Sequence, residues 1–235
     1  MEDQSIMLEA RDLAKCFTLH MQGGVDIPVF ESAALSVRAG DCLVLAGPSG
    51  AGKSTLLRCL YGNYLAQAGS IRVRHCGGMV ELVGAEPRVI LNVRRLTLGY
   101  VSQFLRVIPR VSTLDLVMEP LLSRGLTKEE ARERAEALLA RLNIPRTLWQ
   151  LAPSTFSGGE QQRVNIARGL IADYPVMLLD EPTASLDATN RKTVIELIHD
   201  ALARGTALVG IFHDDAVRDA VCTHSYDVTR DRLAA

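Results

Sequence analysis

The segment Gly47-Pro48-Ser49-Gly50-Ala51-Gly52-Lys53-Ser54 is the strongest indication of fold in this 235-residue chain. It follows the apolar run Cys42–Ala46, which is typical of a buried parallel strand, and leads into a predicted helix from Gly52 to about Leu60. The glycines let the backbone curl so that several amides converge on one anion, at a helix start whose dipole also favours negative charge. Sequence and context together predict a phosphate-binding loop.

The sequence of this loop predicts that the chain binds a nucleoside triphosphate together with a metal ion. Lys53 is expected to reach the β- and γ-phosphates, and Ser54 to place its hydroxyl on Mg²⁺. The sequence has no Asn-Lys-x-Asp motif for reading guanine, so ATP is the expected nucleotide. The residues expected to contact it here are Gly47, Pro48, Ser49, Gly50, Ala51, Gly52, Lys53, Ser54 and Thr55.

Two adjacent carboxylates follow an apolar run late in the chain. The run Val176–Leu179 reads as a buried strand that ends in Asp180 and Glu181. Ligands of α/β proteins bind at the carboxyl ends of such strands. We expect Asp180 to belong to the Mg²⁺ shell, and Glu181, which points elsewhere, to polarise the attacking water.

The remaining pattern predicts an α/β protein, a P-loop NTPase core with a mostly parallel sheet covered on both faces. Residues 1–235 are expected to form a single domain, with an N-terminal antiparallel β-subdomain. Thr127 and Glu130 form a capping box ahead of apolar residues at helical spacing, so residues about 105–157 are predicted to be an inserted helical subdomain. Predicted strands are Met7–Leu13, Phe30–Val37, Leu98–Val101, Val176–Asp180, Ala207–Phe212 and the hairpin Ile71–Val73 with Met79–Val83; predicted helices are Gly158–Asp173 and Ala188–Ala203.

Composition narrows the class of function. The formal net charge is −1 and apolar residues make up 48%, so neither disorder nor general attraction to nucleic acid is expected. The five cysteines form no Cys-x-x-Cys pair, which is typical of reduced thiols in a cytoplasmic protein. The acidic start Met1–Gln4 is unlike a signal peptide, and apolar runs such as Ala207–Phe212 are too short to cross a bilayer. We expect a cytoplasmic protein without nucleic-acid binding or direct membrane insertion.

Phe156-Ser157-Gly158-Gly159-Glu160-Gln161-Gln162-Arg163 resembles the signature sequence of ATP-binding cassette (ABC) ATPases, with Phe for the usual Leu and Glu for the usual Gln. Gln103 resembles the Q-loop glutamine, Ser185-Leu186-Asp187 the D-loop, and His213 the switch histidine. With the phosphate loop, these make five motifs, which occur in the family's order and span nearly the whole chain.

The resemblance implies a role for each motif. Catalysis is assigned to Glu181, His213 and Gln103, and Gln103 would also join Ser54 and Asp180 at Mg²⁺. The signature residues of one subunit face the nucleotide held by the other, so the resemblance implies a head-to-tail pair with a second ABC subunit, identical or related. Residues assigned to the nucleotide across this pair are Ser157, Gly158, Gly159 and Asp187.

Adenine needs an aromatic stacking surface. The family usually places an aromatic residue ahead of the phosphate loop, and Phe17 and Phe30 are the candidates. Phe17 fits the family pattern better, because Phe30 reads as core of the strand that runs to Val37.

Several segments resemble the L subunit (PhnL) of bacterial carbon–phosphorus lyase systems. They are Cys59–Tyr64, Ile71–Val93, Arg94–Val111 and Gly210–Asp215. The resemblance implies a partner complex of soluble phosphonate-processing enzymes, which forms ribose 1-phosphonate 5-triphosphate from a nucleoside triphosphate and an alkylphosphonate. The alternative is the ATPase subunit of a lipoprotein-release or macrolide-export transporter, coupled to a membrane permease.

Overall fold

The computed structural model describes residues 5–19, 24–105 and 109–231. Two sheets form the frame, one mostly buried and parallel, the other antiparallel and closer to the N-terminus. The strands are β1 (Ile6–Leu19), β2 (Val25–Arg38), β3 (Cys42–Ala46), β4 (Ala68–His75), β5 (Gly78–Glu81), β6 (Leu98–Val101), β7 (Val176–Asp180), β8 (Ala207–Ile211) and β9 (His224–Asp227). The helices are α1 (Lys53–Leu60), α2 (Pro87–Leu96), α3 (Thr113–Leu122), α4 (Lys128–Arg141), α5 (Gly158–Leu170), α6 (Ala188–Ala203) and α7 (Asp215–Val221).

The parallel sheet has the strand order β6-β7-β8-β3-β9. Strands β3, β7 and β8 are apolar almost throughout and buried, because helices cover one face of the sheet and the antiparallel sheet with α1 covers the other. One apolar cluster lies between this sheet and the helices α3–α6, and a second lies between it and the antiparallel sheet. The predicted α/β fold with a parallel core is confirmed.

The antiparallel sheet has the order β2-β1-β4-β5, which also confirms the predicted N-terminal β-subdomain. Strands β1 and β2 are each 14 residues long, well beyond the predicted Met7–Leu13 and Phe30–Val37. Register shifts interrupt their pairing, as between Ala10 and Leu13. Such irregularities break the simple apolar alternation, so the pattern marks only part of each strand.

Helix α2 corrects the sequence analysis, which assigned the stretch Ile71–Val93 only a hairpin. The hairpin exists, since β4 pairs with β5 from Arg72–Glu81 to His75–Gly78. The chain then forms a ten-residue helix with Pro87 at its first turn and Arg94 and Arg95 in its last turn. A proline that opens a helix and cations that close it were the missed signals.

The inserted segment between β6 and α5 is helical, as expected. It contains α3, α4 and two short 3₁₀ turns, and its residues 106–108 lie outside the described ranges. The predicted capping box is present: the Glu130 amide donates to Thr127 Oγ1 at 3.3 Å, and the Thr127 amide donates to Glu130 Oε2 at 2.9 Å. Ala131, Ala135 and Leu139 on the buried face of α4 are fully inaccessible to solvent. Across the three described ranges, no helix is long and apolar enough to span a membrane.

Candidate functional site

The phosphate-binding loop joins β3 to α1, as the sequence predicts. Gly47, Gly50 and Gly52 all have positive φ angles, of 136°, 76° and 95°. At Gly52 there is a second constraint, because an added Cβ would lie 2.5 Å from Val29 Cγ1 of β2. This glycine therefore provides both the turn and the close contact between the loop and the antiparallel sheet.

Lys53 is held inside the curl of the loop. Its Nζ donates hydrogen bonds to the carbonyl oxygens of Gly47 at 2.7 Å and Pro48 at 2.9 Å. The ammonium thus lies where a phosphate chain wrapped by the loop would meet it. A cavity of about 290 Å³ opens beside it, lined by Ser49–Thr55, Val29, Glu181 and His213 among others. The structure therefore brings the predicted phosphate loop and two of the predicted catalytic residues to one cavity.

Asp180 and Ser54, predicted to hold the metal, are in direct contact. Ser54 Oγ donates to Asp180 Oδ1 at 2.9 Å, and the Tyr100 hydroxyl donates to Asp180 Oδ2 at 3.0 Å. Asp180 is 1% exposed. The hydroxyl and the single carboxylate are hard oxygen donors, which suits Mg²⁺ bound mainly by phosphates and water rather than by an all-protein cage. In keeping with this, the described residues contain no group of three or more His, Cys, Asp or Glu side chains placed to hold a metal.

Glu181 is at the centre of a three-residue cluster. Its Oε1 lies 2.7 Å from His213 Nε2, and its Oε2 accepts a hydrogen bond from Gln103 Nε2 at 3.0 Å. The Glu181 backbone has a φ of 53°, a left-handed conformation that is unusual for a residue other than glycine. The adjacent carboxylates of Asp180 and Glu181 have different hydrogen-bond partners. The three residues predicted to be catalytic therefore meet.

Gln103 was also predicted at the metal, and its observed contact is different. Its side-chain amide binds Glu181, whereas Ser54 and Asp180 bind each other. The structure thus places Gln103 in contact with Glu181, and the metal role of Gln103 stays a prediction.

The signature residues begin α5 on an open surface. Ser157 is the N-cap: its Oγ accepts from the Glu160 amide at 3.3 Å, and the Ser157 amide donates to Glu160 Oε2 at 2.8 Å. Hydrogen bonds from the Ser157 hydroxyl and amide lower the pKa of Glu160. Gly159 lies against the D-loop, since a Cβ there would approach the Ser185 carbonyl oxygen at 3.0 Å. The helix start and the D-loop therefore form one surface.

Asp187 caps α6 at the edge of this surface. Its Oδ1 accepts from the Asn190 amide and its Oδ2 from the Asn190 side chain, both at 2.8 Å. These bonds lower the Asp187 pKa. The cap is a structural role that is compatible with a contact across a subunit interface, and that contact stays a prediction.

Two buried polar residues of α5 connect the signature helix to the loops that carry Glu181 and Gln103, and neither was predicted from the sequence. Gln162 donates to the Pro182 carbonyl oxygen at 3.0 Å, one residue after Glu181. Asn165 donates to the Ser102 carbonyl oxygen at 2.6 Å, one residue before Gln103. Buried amide side chains need partners, so their place on the buried face of a predicted helix was the available signal.

Phe17 lies on β1 opposite Ile27 of β2, and Ile27 lines the phosphate-loop cavity. The Phe17 ring makes an edge contact with Tyr64, with 5.4 Å between centroids, and Lys15 Nζ lies 4.6 Å from its centre. Phe30 is 1% exposed and belongs to the core, as predicted. Stacking of adenine on Phe17 stays a prediction.

Two adjoining cavities, of about 630 and 480 Å³, form a groove next to the Q-loop, which we call the tyrosine groove. Both are lined by Tyr61 and Tyr100, and Phe104 on the rim is 74% exposed. The residues that line the groove include four arginines and a single acidic residue, Glu119. The arginines are Arg58, Arg94, Arg95 and Arg168.

Comparison with known proteins agrees with this geometry. The family model for ABC transporters matches residues 30–184. The chain is 34% identical over 213 residues to the lipoprotein-releasing system ATP-binding protein LolD of Chromohalobacter salexigens, covering 90% of this chain and 86% of that protein. It is 35% identical over 195 residues to the macrolide export ATP-binding/permease protein MacB of Burkholderia thailandensis, covering 83% of this chain and 29% of MacB.

A third relative is an uncharacterized ABC transporter ATP-binding protein of Mycobacterium tuberculosis, 38% identical over 197 residues. The match covers 84% of this chain but only 58% of that protein. The relatives named here support the ABC family and the transporter alternative better than the narrower resemblance to PhnL.

The fold matches that of solved ABC cassettes. The dimeric ABC transporter cassette MJ0796 is 26% identical, with a TM-score of 0.83 over 92% of this chain and 91% of that one. A second structure of MJ0796 is a dimeric post-hydrolysis state bound to ADP and Pi. With a family model that covers most of the chain and a phosphate loop, acidic pair and signature helix arranged as described, this protein belongs to the family of ABC transporter ATP-binding proteins.

Proposed function

We propose that this chain binds ATP at Gly47–Thr55 and hydrolyses it when the signature residues of a second ABC subunit close the site. The observation that carries the proposal is Glu181, held by both His213 and Gln103 at the cavity of the phosphate loop. The arrangement presents a fixed carboxylate to water at the γ-phosphate end of a nucleotide bound by the loop.

The reaction follows from these positions. The oxygen of water forms a bond to the γ-phosphorus while the bond from that phosphorus to the bridging oxygen breaks, which gives ADP and phosphate. Glu181 accepts the water proton, His213 orients the water and γ-phosphate, and Lys53 balances the phosphate charge. Mg²⁺ at Ser54 and Asp180 would neutralise further negative charge on the phosphates.

A second subunit is needed because the anion-binding parts of the chain are on separate surfaces. The amides of Gly158 and Gly159 open α5 away from the phosphate-loop cavity, whose lining includes neither residue. Two-fold pairing would place each signature helix over the other chain's loop. The dimeric cassette MJ0796 supports this arrangement.

We propose a membrane permease as the partner that uses this hydrolysis, with the tyrosine groove as its binding surface. The similarity to LolD and MacB, named for lipoprotein release and macrolide export, supports a transporter. Phe104 offers an apolar contact on the rim, and the arginine excess favours a partner segment that carries carboxylates.

A soluble phosphonate-processing complex is the second candidate, and one observation favours it. Two of the segments that resemble the carbon–phosphorus lyase L subunit, Cys59–Tyr64 and Arg94–Val111, both contribute to the lining of the tyrosine groove. A partner bound in the groove would therefore contact parts of the chain that carry this resemblance.

A pull-down from phosphate-starved native cells distinguishes the candidates. The tagged chain is recovered with and without detergent, and with and without ATP and Mg²⁺, beside the docking variant Phe104→Asp. Recovery of a permease that depends on detergent and on Phe104 supports the transporter. Recovery of phosphonate-processing enzymes without detergent, lost in the variant, contradicts it and supports the second candidate.

A further inference from the structure

Tyr100 makes a contact that none of the ABC motifs described above accounts for. Its hydroxyl donates to Asp180 Oδ2 at 3.0 Å, while Ser54 occupies the other carboxylate oxygen at 2.9 Å. Both oxygens of the predicted metal-binding carboxylate are therefore engaged, and the carboxylate has a single orientation.

The sheet explains how Tyr100 reaches this position. Strand β6 pairs in parallel with β7, and Tyr100 lies opposite Leu178. Asp180 is two residues after Leu178, so its side chain is on the same face of the sheet. A long side chain at position 100 can thus extend toward the end of β7, and tyrosine brings a donor to its tip.

The Tyr100 hydroxyl donates to the Asp180 carboxylate at 3.0 Å. A hydrogen bond from a hydroxyl to a carboxylate is stronger than one between two neutral groups, so this contact is well suited to fix the orientation of the side chain.

The Tyr100 ring also contacts the tyrosine groove. It stacks on Tyr61 with 4.9 Å between centroids and 24° between ring planes. The Arg94 guanidinium lies 4.5 Å from the centre of the Tyr61 ring, and Arg94 lines the groove. A continuous set of contacts therefore runs from Arg94 through the two rings to Asp180.

We propose that Tyr100 is a positioning residue that sets the Asp180 carboxylate for Mg²⁺ and connects it to the tyrosine groove. The claim rests on the proposed ATP-binding function. Gln103 lines the groove and binds Glu181, so it offers one route from a partner to the nucleotide site, and Tyr100 adds a second.

The test measures Mg²⁺ dependence of nucleotide binding, so that turnover is not the readout. Calorimetry gives the affinity of the full chain for a non-hydrolysable ATP analogue, in EDTA and over a Mg²⁺ series. For Tyr100→Phe we expect unchanged affinity in EDTA and a roughly tenfold higher Mg²⁺ concentration for half of the metal-dependent gain.

Two variants of Tyr61 complete the test. Tyr61→Phe keeps the stacked ring and should match the wild type, whereas Tyr61→Leu loses the stack and should raise the Mg²⁺ requirement less than Tyr100→Phe does. A wild-type Mg²⁺ requirement in Tyr100→Phe overturns the positioning role, and one in Tyr61→Leu overturns the connection to the groove. Failure of the wild-type chain to bind the analogue would instead contradict the proposed function itself.

Discussion

The chain carries two helix starts suited to anions, and they differ in how much of their surroundings the chain itself supplies. At α1, Lys53 is nine-tenths buried, Ser54 bonds to Asp180, and Glu181 and His213 line the same cavity. At α5, Ser157 and Gly158 are exposed, and the Ser157 hydroxyl bonds only to Glu160 of its own capping box. The first site has a lysine, the carboxylate of Asp180 and the carboxylate of Glu181, whereas the second has only amides and a hydroxyl.

This contrast agrees with our proposal that the signature helix acts on a phosphate held by a second subunit and does not form a binding site by itself. Helix α4 provides a control for this interpretation, because Thr127 and Glu130 form the same kind of capping box as Ser157 and Glu160. The box alone therefore has no functional meaning. Three features distinguish the start of α5 from that of α4. They are Gly158 and Gly159 after Ser157, the adjacent D-loop, and the Gln162 and Asn165 side chains that bind the loops carrying Glu181 and Gln103.

Substitutions at the phosphate-loop site should have the strongest effects. Glu181→Gln removes the proton acceptor while keeping the hydrogen-bonding shape, so turnover should fall by roughly 10²-fold or more with ATP binding retained. Lys53→Ala should lose ATP binding itself, because the loop loses its cation. Nucleotide affinity and phosphate release measured on both variants check this. Near-normal turnover in Glu181→Gln would remove it from the role of base.

The signature helix should respond differently, and the two capping boxes provide a matched pair. Ser157→Arg places bulk at the docking surface, so ATP affinity of the single chain should stay at the wild-type level while ATP hydrolysis is lost. Thr127→Arg breaks the corresponding cap of α4, and hydrolysis should persist. Equal loss of hydrolysis in the two variants would indicate damage to a helix cap rather than to a shared site.

A smaller effect is expected on the pH dependence of thermal stability, at the same two capping boxes. Bonds from Thr127 and Ser157 lower the pKa values of Glu130 and Glu160 from the ordinary 4.5. A carboxylate whose pKa is lower in the folded than in the unfolded protein stabilises the folded state at pH values above the unfolded pKa. This stabilisation is lost as the pH falls through the pKa of the folded state. Glu130→Gln and Glu160→Gln should each lower the thermal midpoint slightly at pH 7 and by less near pH 3. A deficit that grows on acidification would refute this explanation.

The features that could be predicted from the sequence are those that depend on residues close together in the chain. The phosphate loop, the acidic pair and the α5 start depend on short runs of glycine, hydroxyl and apolar residues, whose backbone consequences are the same in any surroundings. The Tyr100–Asp180 bond depends on strands that are 80 residues apart pairing in one register, which no local pattern contains. Helix α2 was missed because its neighbouring hairpin dominated the pattern. The assignment of residues 1–235 to a single domain stays a prediction.

ATP-dependent pairing of the Glu181→Gln variant tests the central claim most directly, because blocked hydrolysis should trap the closed pair. Size-exclusion chromatography with light scattering, with ATP and Mg²⁺, is applied to this variant alone and with any ABC subunit that copurifies. We predict a nucleotide-dependent pair for Glu181→Gln and none for the double variant Glu181→Gln, Ser157→Arg, although both bind ATP. A double variant that pairs as well as Glu181→Gln, or a Glu181→Gln chain that binds ATP and never pairs, would contradict the shared site.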